Sequence, residues 1–419
     1  MRLSDTAIQR FSDSARSHAP RGNAVRTLCV PLLAAVFLLT AACSTPAPEP
    51  LSTATPEPAE TAEPEISAPQ DGEPALPPPY TVVTTTLLTE PSGFPGAPVV
   101  SDDGTIFVAG LSGNLIALTE TGLVLWETQL PAKTAGTPLV LEDRLFVLDR
   151  LGLNVFTTGG EPLWRFEHAA GTAIAGPAAG PDGTLYYTVQ TASQGHIQAV
   201  TAGGEPLWLG PVATHSYFQA PLATPNGQLV LFRSEVFSTI DGGPVDLGLD
   251  FEPEAFLIGA DRQVYLFFED SLVRWTYADG QAVLADERVI SPHELGHPVR
   301  VGILENGEVW FLYPAAIARF SPSGRMLHIA RVEEGFFTHF IDITGDGVHI
   351  VCGRSRADLR ENGLPNCAGF SLDYGLPLWD RIIGSAEAEF TGGIILPDGG
   401  AVVALEDGGL YRIEFRQEP

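Results

Sequence analysis

The stretch Gly96–Leu130, GAPVVSDDGTIFVAGLSGNLIALTETGLVLWETQL, contains four short apolar runs separated by turn residues. The turns are Asp103-Gly104, Ser112-Gly113-Asn114 and Thr121-Gly122. Runs of β-forming residues bounded by Gly, Asn and Asp are typical of strands joined by hairpins. One four-stranded unit of this kind cannot bury its apolar surface alone, so the stretch requires neighbours of the same kind.

The first turn of this unit recurs along the chain at intervals from 35 residues (226 to 261) to 52 residues (346 to 398). The eight copies are Asp103-Gly104, Glu142-Asp143, Asp182-Gly183, Asn226-Gly227, Asp261-Arg262, Asn306-Gly307, Asp346-Gly347 and Asp398-Gly399. Four strands at a period near forty residues are typical of a β-propeller. The sequence therefore predicts an all-β fold, an eight-bladed β-propeller of four-stranded antiparallel blades.

The first and last repeats complete each other. The last repeat contains only three apolar runs, GGIILPD, AVVALED and GLYRIEF, whereas Tyr80–Leu88 precedes the first repeat without a blade of its own. We expect this N-terminal strand to close the ring as the outer strand of blade eight, which removes a free sheet edge. The predicted propeller domain spans residues 80–419.

Prolines and tryptophans mark two further positions of the repeat. Four prolines lie four or five residues before a first turn, where they are predicted to begin the innermost strand: Pro98, Pro138, Pro177 and Pro221. An apolar residue, a Gly four residues later and a Trp after four more mark the turn into the outer strand, as in Leu118-Gly122-Trp126, Phe156-Gly160-Trp164 and Val200-Gly204-Trp208. A large aromatic residue on the outer strand suits packing between blades.

These residues resemble the quinoprotein-type (PQQ-like) propeller repeat over about residues 80–415. In layout the chain is similar to the propeller lipoproteins of the outer-membrane β-barrel assembly machinery, and the resemblance implies the fold far more than a function. The dehydrogenases of the quinoprotein family carry an adjacent pair of cysteines near the cofactor. Cys352 and Cys367 are not adjacent, so PQQ is not expected.

The N-terminal region predicts export. Basic residues precede the apolar run Leu28–Leu39, and small residues follow it up to Cys43. This pattern is typical of a signal peptide over 1–42 and resembles a bacterial lipobox, which implies lipidation of Cys43 and a chain anchored to the bacterial membrane, facing the periplasm or the cell exterior. An ordinary secretory signal is the alternative. Residues 44–79 contain 11 prolines, seven acids and no base, so 43–79 is predicted to be a disordered tether.

The charge of the exported chain limits its partners. Removal of residues 1–42 takes away five arginines and two aspartates and leaves 18 bases against 49 acids, a net charge of about −31. Lys133 is the only lysine, so no basic stripe exists for nucleic acid, and membrane contact is expected through the lipid anchor only. We expect a monomeric propeller with neutral or basic protein partners, cations or sugars, although the acidity also serves solubility alone in many proteins.

Two motifs resemble metal sites. His293-Glu-Leu-Gly-His297 matches a zinc-protease pattern that needs a helix, but the prolines at 292 and 298 leave too few residues for one. Asp342, Thr344 and Asp346 resemble an oxygen-ligand calcium loop and also coincide with the ordinary repeat turn. The sequence therefore predicts no catalytic zinc site and leaves calcium open.

Cys352 and Cys367 bracket the longest insertion within a repeat, GRSRADLRENGLPN. A hairpin brings the two ends of such an insertion together, so a disulfide is expected in an exported protein. Two buried free thiols are the alternative.

One face of the propeller is predicted to bind a partner. Connections from an outer strand to the next inner strand share a face with turns from the second to the third strand. Aromatic and arginine residues in these connections form the candidate binding face: Phe94, Tyr217, Phe218, Phe336, Phe337, Arg354, Arg356 and Arg360. The alternative is that the rings pack beneath the inner strands.

The sequence thus favours a membrane-anchored, non-catalytic protein-binding propeller of the bacterial cell envelope. A lyase or hydrolase with a site in the central channel and a calcium-dependent adhesion propeller are the alternatives. Carboxylates and histidines at the axis would favour an enzyme, whereas small residues such as Ala97, Thr137 and Gly176 would favour a scaffold.

Overall fold

The structure is a computed structural model that describes residues 80–169, 171–212, 220–247, 253–268, 271–278, 281–290, 295–298, 300–304, 306–313, 316–331, 335–343, 348–355, 365–371, 376–384 and 388–417. All of them belong to the unit Asp71–Pro419, one of the two units into which the contacts divide the chain. The described residues contain no helix with the length and hydrophobicity of a membrane span.

The first half of the described chain forms β1 and four blades. The outer strand of blade 8 comes first, as β1 (Tyr80–Thr89). Blades 1 and 2 consist of β2 (Val99–Val100), β3 (Ile106–Ala109), β4 (Asn114–Leu118), β5 (Val124–Gln129), β6 (Leu139–Leu141), β7 (Arg144–Asp149), β8 (Gly152–Thr157) and β9 (Pro162–Glu167). Blades 3 and 4 consist of β10 (Thr172–Ala179), β11 (Leu185–Gln190), β12 (Gly195–Val200), β13 (Pro206–Val212), β14 (Leu222–Ala223), β15 (Leu229–Phe232) and β16 (Glu235–Ser238).

The second half forms the other four blades. Blades 5 and 6 consist of β17 (Ala255–Ile258), β18 (Val264–Phe268), β19 (Ser271–Ala278), β20 (Gln281–Ile290), β21 (Arg300–Ile303), β22 (Val309–Tyr313), β23 (Ala316–Phe320) and β24 (Met326–Arg331). Blades 7 and 8 consist of β25 (Gly335–Ile343), β26 (Val348–Ser355), β27 (Pro365–Ser371), β28 (Leu376–Ile382), β29 (Phe390–Ile395), β30 (Ala401–Leu405) and β31 (Gly409–Gln417), with β1 added to blade 8.

Blades 1 to 7 are antiparallel meanders whose strands follow chain order from the axis outward, and blade 8 follows the same order with β1 added as its outer strand. In the part of the chain that the structure describes, seven blades have four strands and blade 4 has three. At the outer position of blade 4, Phe237 forms an isolated bridge with Pro244, and Val245 N–H donates to the Val236 carbonyl oxygen at 2.8 Å. The all-β, eight-bladed propeller predicted from the repeat is confirmed.

The ring closes through β1, as the incomplete last repeat predicts. Blade 8 has the strand order β1-β31-β30-β29, with β1 as the outer strand. The register pairs Tyr80 with Gln417 and Thr89 with Gly409, and one bulge lies between Thr86 and Leu88. The N-terminal closing strand is therefore confirmed.

The core lies between the blades, in one apolar cluster for each neighbouring pair. Phe107 and Leu115 of blade 1 pack with Leu145 and Phe156 of blade 2, and the same pattern continues around the ring. The last cluster joins blade 8 to blade 1. Each blade therefore buries both of its faces against neighbours, which a single repeat cannot do.

The Gly-x-x-x-Trp motif joins neighbouring blades. A Cβ on Gly204, the turn glycine of blade 3, would lie 2.9 Å from the ring of Trp164 in blade 2. The same relation holds for Gly160 and Trp126, at 2.8 Å, and Trp126 Nε1 donates to the Thr158 carbonyl oxygen at 3.0 Å. The motif glycines of blades 2 and 3 therefore leave room for the tryptophan of the preceding blade, whereas Gly122 of blade 1 lies against Leu87 of β1.

Candidate functional site

On the upper face, which carries the turns between second and third strands, small residues join the inner strands of blades 8, 1, 2 and 3 near the axis. Thr391 Oγ1 in blade 8 donates to the Gly96 carbonyl oxygen at 3.3 Å, and Ala97 N–H donates to Thr137 Oγ1 at 3.1 Å. A Cβ on Gly136 would lie 2.8 Å from the carbonyl oxygen of Gly176 in blade 3. The starts of the inner strands of blades 8, 1, 2 and 3 therefore pack against one another through backbone and small side chains.

A buried ion pair lies on the same face, in blade 2. Asp149, at the end of β7, is fully buried, and its Oδ2 accepts from Arg165 at 2.6 Å and from Asn154 at 3.0 Å. Its Oδ1 accepts from the backbone N–H groups of Leu151 at 2.8 Å and Gly152 at 3.0 Å. Because all these contacts favour the ionised carboxylate, they bind the second-to-third turn of blade 2 to its outer strand.

The electrostatics of this cluster fix its protonation. Burial opposes ionisation of Asp149, but the hydrogen bonds from Arg165 and Asn154 outweigh it and hold the pKa of Asp149 below its ordinary value. Burial and the nearby Asp149 charge raise the pKa of the Tyr187 phenol, and burial lowers the pKa of His168. At neutral pH the cluster is therefore an ionised Asp149–Arg165 pair beside two neutral rings, and the Asp149 carboxylate is committed to hydrogen bonds that stabilise the blade.

Phe94 does not belong to an exposed binding face. Its side chain is only 2 % exposed and packs in the cluster between blades 8 and 1, with Ile106 and Leu410. The expectation of a surface contact at Phe94 is therefore corrected: a ring just before an inner strand fills the gap between blades, as the alternative proposed.

The other residues of the predicted face are described only in part. Tyr217, Phe218, Arg356 and Arg360 lie outside the described residues. The backbone places Phe336 and Phe337 in β25 and Arg354 in β26, with Phe336 directly opposite Arg354 in the register. The predicted aromatic and arginine positions of blade 7 thus share one end of its two inner strands, and their role in binding stays a prediction.

The two cysteines of blade 7 meet across neighbouring strands. Cys352 in β26 pairs in register with Cys367 in β27, and their Cα atoms are 4.1 Å apart. The structure contains the predicted disulfide, and both residues are fully buried. The bond joins the two strands from which the insertion departs.

Most residues of the two metal-like motifs lie outside the residues that the structure describes. His293 and two of the three calcium candidates, Thr344 and Asp346, lie outside it, as does Cys43, the predicted lipidation site. Asp342 lies in β25, opposite Ile350. Within the residues described, no group of three or more His, Cys, Asp or Glu side chains is placed to hold a metal ion. Calcium binding therefore stays a prediction.

Two clefts lie on either side of blade 5. They open on the lower face, which carries the turns between first and second strands. The first, of about 430 Å³, lies between blades 4 and 5, and the second, of about 410 Å³, lies between blades 5 and 6. Gln263 lines both. Trp275 in the first cleft is 1 % exposed, and its Nε1 has no hydrogen-bond partner among the described residues. Sequence reasoning missed this tryptophan because it stands on the third strand, outside the Gly-x-x-x-Trp motif.

Comparison with known proteins supports the fold. A family model described as outer membrane protein assembly factor BamB matches residues 81–173, the closing strand, blades 1 and 2 and the start of blade 3. BamB from Moraxella catarrhalis is similar in structure, with a TM-score of 0.55 and 13% sequence identity over 80% of this chain and 99% of that chain. The PQQ-like β-propeller inferred from the repeat, resembling BamB, is confirmed.

Other propellers are similar to the same extent. The C-terminal WD40 domain of Sif2 has a TM-score of 0.61 at 9% identity, over 80% of this chain and 99% of that chain. Streptogramin B lyase has a TM-score of 0.50 at 15% identity, over 80% of this chain and 98% of that chain. No curated protein sequence matches the chain. Because these proteins differ in their named roles, such likeness shows the architecture alone.

Proposed function

We propose that this chain is a membrane-anchored, non-catalytic propeller that binds proteins in the bacterial cell envelope. The observation that carries the proposal is the match of residues 81–173 to the BamB family model, within a complete eight-bladed ring. A family named for an assembly factor points to a role in holding other proteins together.

The geometry of the axis supports the non-catalytic part of the proposal. The inner strands of blades 8, 1 and 2 meet through Thr391, Ala97 and Thr137, with hydrogen bonds between small residues where a channel enzyme would place its reacting groups. The fully satisfied Asp149 of blade 2 is likewise committed to structure.

The sequence supports the location. The predicted signal over 1–42, the predicted lipidation of Cys43 and the acidic proline-rich tether support an envelope location in which the ring is held away from the bilayer surface. A net charge of about −31 favours partners with neutral or basic surfaces, because like charges repel at short range.

Photo-cross-linking in the native bacterium tests the proposal. Amine-reactive reagents are poorly suited, since Lys133 is the only lysine. We would place p-benzoylphenylalanine on each face of the ring and compare the full chain with Cys43→Ser. We expect adducts with one or more envelope proteins, membrane fractionation of the full chain, and loss of that fractionation in Cys43→Ser. A chain that cross-links to no envelope protein from any face would overturn the proposal.

A further inference from the structure

The outer strand of blade 1 differs from the equivalent strands of blades 2 and 3 at two aligned positions. Val124 in β5 pairs with Leu118, as Pro162 in β9 pairs with Phe156 and Pro206 in β13 with Val200. The residue before it is Leu123 in blade 1, but Glu161 in blade 2 and Glu205 in blade 3. The motif therefore reads Gly-Leu-Val-Leu-Trp in blade 1 and Gly-Glu-Pro-Leu-Trp in both of the others.

Glutamate and proline at a sheet edge prevent pairing with another strand. Blade 1 has neither, and it exposes three consecutive apolar side chains, with Leu123 65 % exposed, Val124 42 % and Leu125 50 %. Runs of three or more consecutive exposed apolar residues are unfavourable on a soluble protein and are expected only where they serve a function. The outer edge of blade 1 is thus apolar and unprotected.

The backbone of β5 is also available for pairing. Proline occupies the register position of Val124 in blades 2 and 3, and the same bulge follows this position in all three blades. The inner ladder therefore does not need the N–H at this position, which leaves the Val124 N–H available on the outer side. Consistently, the adjacent Leu123 carbonyl oxygen accepts from Thr119 N–H at 2.9 Å, on the inner side. β5 is the last strand of its sheet, and no described strand pairs with its outer side.

Other outer strands are different. β28 of blade 7 has Pro377 in its motif, as blades 2 and 3 do. β1 has neither proline nor charge, but its exposed side chains are threonines with the single exception of Val83. β20 of blade 5 exposes two consecutive apolar residues, Val283 at 55 % and Leu284 at 37 %. Among the outer-strand side chains that the structure describes, Leu123–Leu125 is therefore the longest exposed apolar run.

We propose that the outer edge of blade 1 binds an extended segment of a partner protein, which pairs with β5 as a fifth strand and presents apolar and basic side chains. This inference rests on the proposed protein-binding function and names the surface that performs it. Pairing on a sheet edge supplies affinity through backbone hydrogen bonds, and alternate side chains supply specificity.

The charge of the chain favours a basic partner segment over a second copy of the chain and over the chain's own segment 44–79. The exposed Glu127 lies on the same strand, so a basic side chain on the partner would be paired there. A second copy of the chain would bring another net charge of about −31 to the contact. The chain's own segment 44–79 holds seven acids and 11 prolines, which can neither match the charge nor form a regular ladder.

The test uses the full chain in its native bacterium, with p-benzoylphenylalanine introduced at Leu125. The matched control carries the same residue at Leu163 of blade 2, which is 46 % exposed against 50 % for Leu125. A second arm adds Leu123→Glu with Val124→Pro, which gives blade 1 the sequence that already folds in blades 2 and 3. Melting temperatures monitor folding, and Val124→Lys serves as a milder second variant.

We expect a Leu125 adduct with an envelope protein, mapped by mass spectrometry to an extended segment that carries Lys or Arg. The yield of this adduct should fall about tenfold in the double variant. The loss of one or two backbone hydrogen bonds to the partner is enough to weaken binding by that factor. An equal adduct from Leu163, an adduct that persists in both variants, or an adduct with a second copy or with residues 44–79 would overturn the inference. Adducts from other faces but none from Leu125 would overturn this inference and leave the proposed function standing.

Discussion

The contact between Gly204 and Trp164 gives the most stringent test of how the blades are joined. Gly204 has a φ of +92°, and an added Cβ would lie 2.9 Å from the indole of Trp164. Gly204→Ala should therefore destabilise the ring twice over: the left-handed backbone costs about 1–2 kcal/mol and the overpacking about 1–3 kcal/mol. We expect a total loss of about 2–5 kcal/mol.

A second turn of blade 3 provides the control. Gly183 has a φ of +80°, but the nearest atom to an added Cβ is the Ala202 Cβ at 3.5 Å, an ordinary contact. Gly183→Ala should therefore cost only the backbone contribution, about 1–2 kcal/mol. The difference between the two variants measures the contact with the tryptophan.

Urea denaturation of both variants, followed by far-ultraviolet circular dichroism, supplies the free energies of unfolding. In a Trp164→Leu background the penalty of Gly204→Ala should fall towards that of Gly183→Ala, since neighbouring residues couple. Equal penalties for Gly204→Ala and Gly183→Ala, or a Gly204→Ala penalty that Trp164→Leu leaves unchanged, would refute the proposed packing of the motif.

Four further outcomes are expected. Replacing Cys352 and Cys367 by alanine should cost about 3 kcal/mol in urea denaturation, the value for a loop with a sequence separation of 15; unchanged stability would contradict this. Burial lowers the pKa of His349 to about 3, so below pH 6.5 the unfolded chain takes up a proton that the folded chain refuses. Stability should therefore fall by about 1.4 kcal/mol per pH unit between 6.5 and 3 from this group alone, and His349→Gln should show a slope flatter by that amount; parallel profiles would disprove it. Deleting residues 80–89 should cause aggregation in size-exclusion chromatography, and a stable monomer would argue against closure by this strand. Calcium should raise the melting temperature of the chain but not of Asp346→Ala if the loop binds it, and identical melting with calcium and with EDTA would remove the calcium site.

The repeat is readable from sequence because its signals are local. The turn residues, the prolines before β2, β6 and β14 and the Gly-x-x-x-Trp spacing each depend on a few neighbouring residues. The closing strand could also be predicted, because the last repeat has only three strands and Tyr80–Leu88 is a strand that belongs to no other repeat. Local residue patterns and the number of strands are therefore enough to predict a closed, eight-bladed ring from the sequence.

Contacts between residues that are distant in the sequence could not be predicted from it. Arg165 pairs with Asp149 across three strands, and nothing in the spacing marks the pair. Phe94 was placed on the correct connection, but whether a ring faces solvent or a blade depends on the width of the gap that its neighbours leave. His349 likewise looked ordinary in the sequence, and only its packing shows that it is buried uncharged. Which side a side chain faces is a tertiary property.

The pairing of Tyr80 with Gln417 sets the order in which the molecule can be assembled. These two residues are separated by 337 positions in the sequence, so the contact that completes the circle has the greatest loop-closure cost and forms after the intervening blades. During synthesis from the N-terminus β1 emerges first and finds its partner last. Until the C-terminal residues arrive, β1 stays unpaired, and a chaperone that covers an exposed strand would be most useful in that interval.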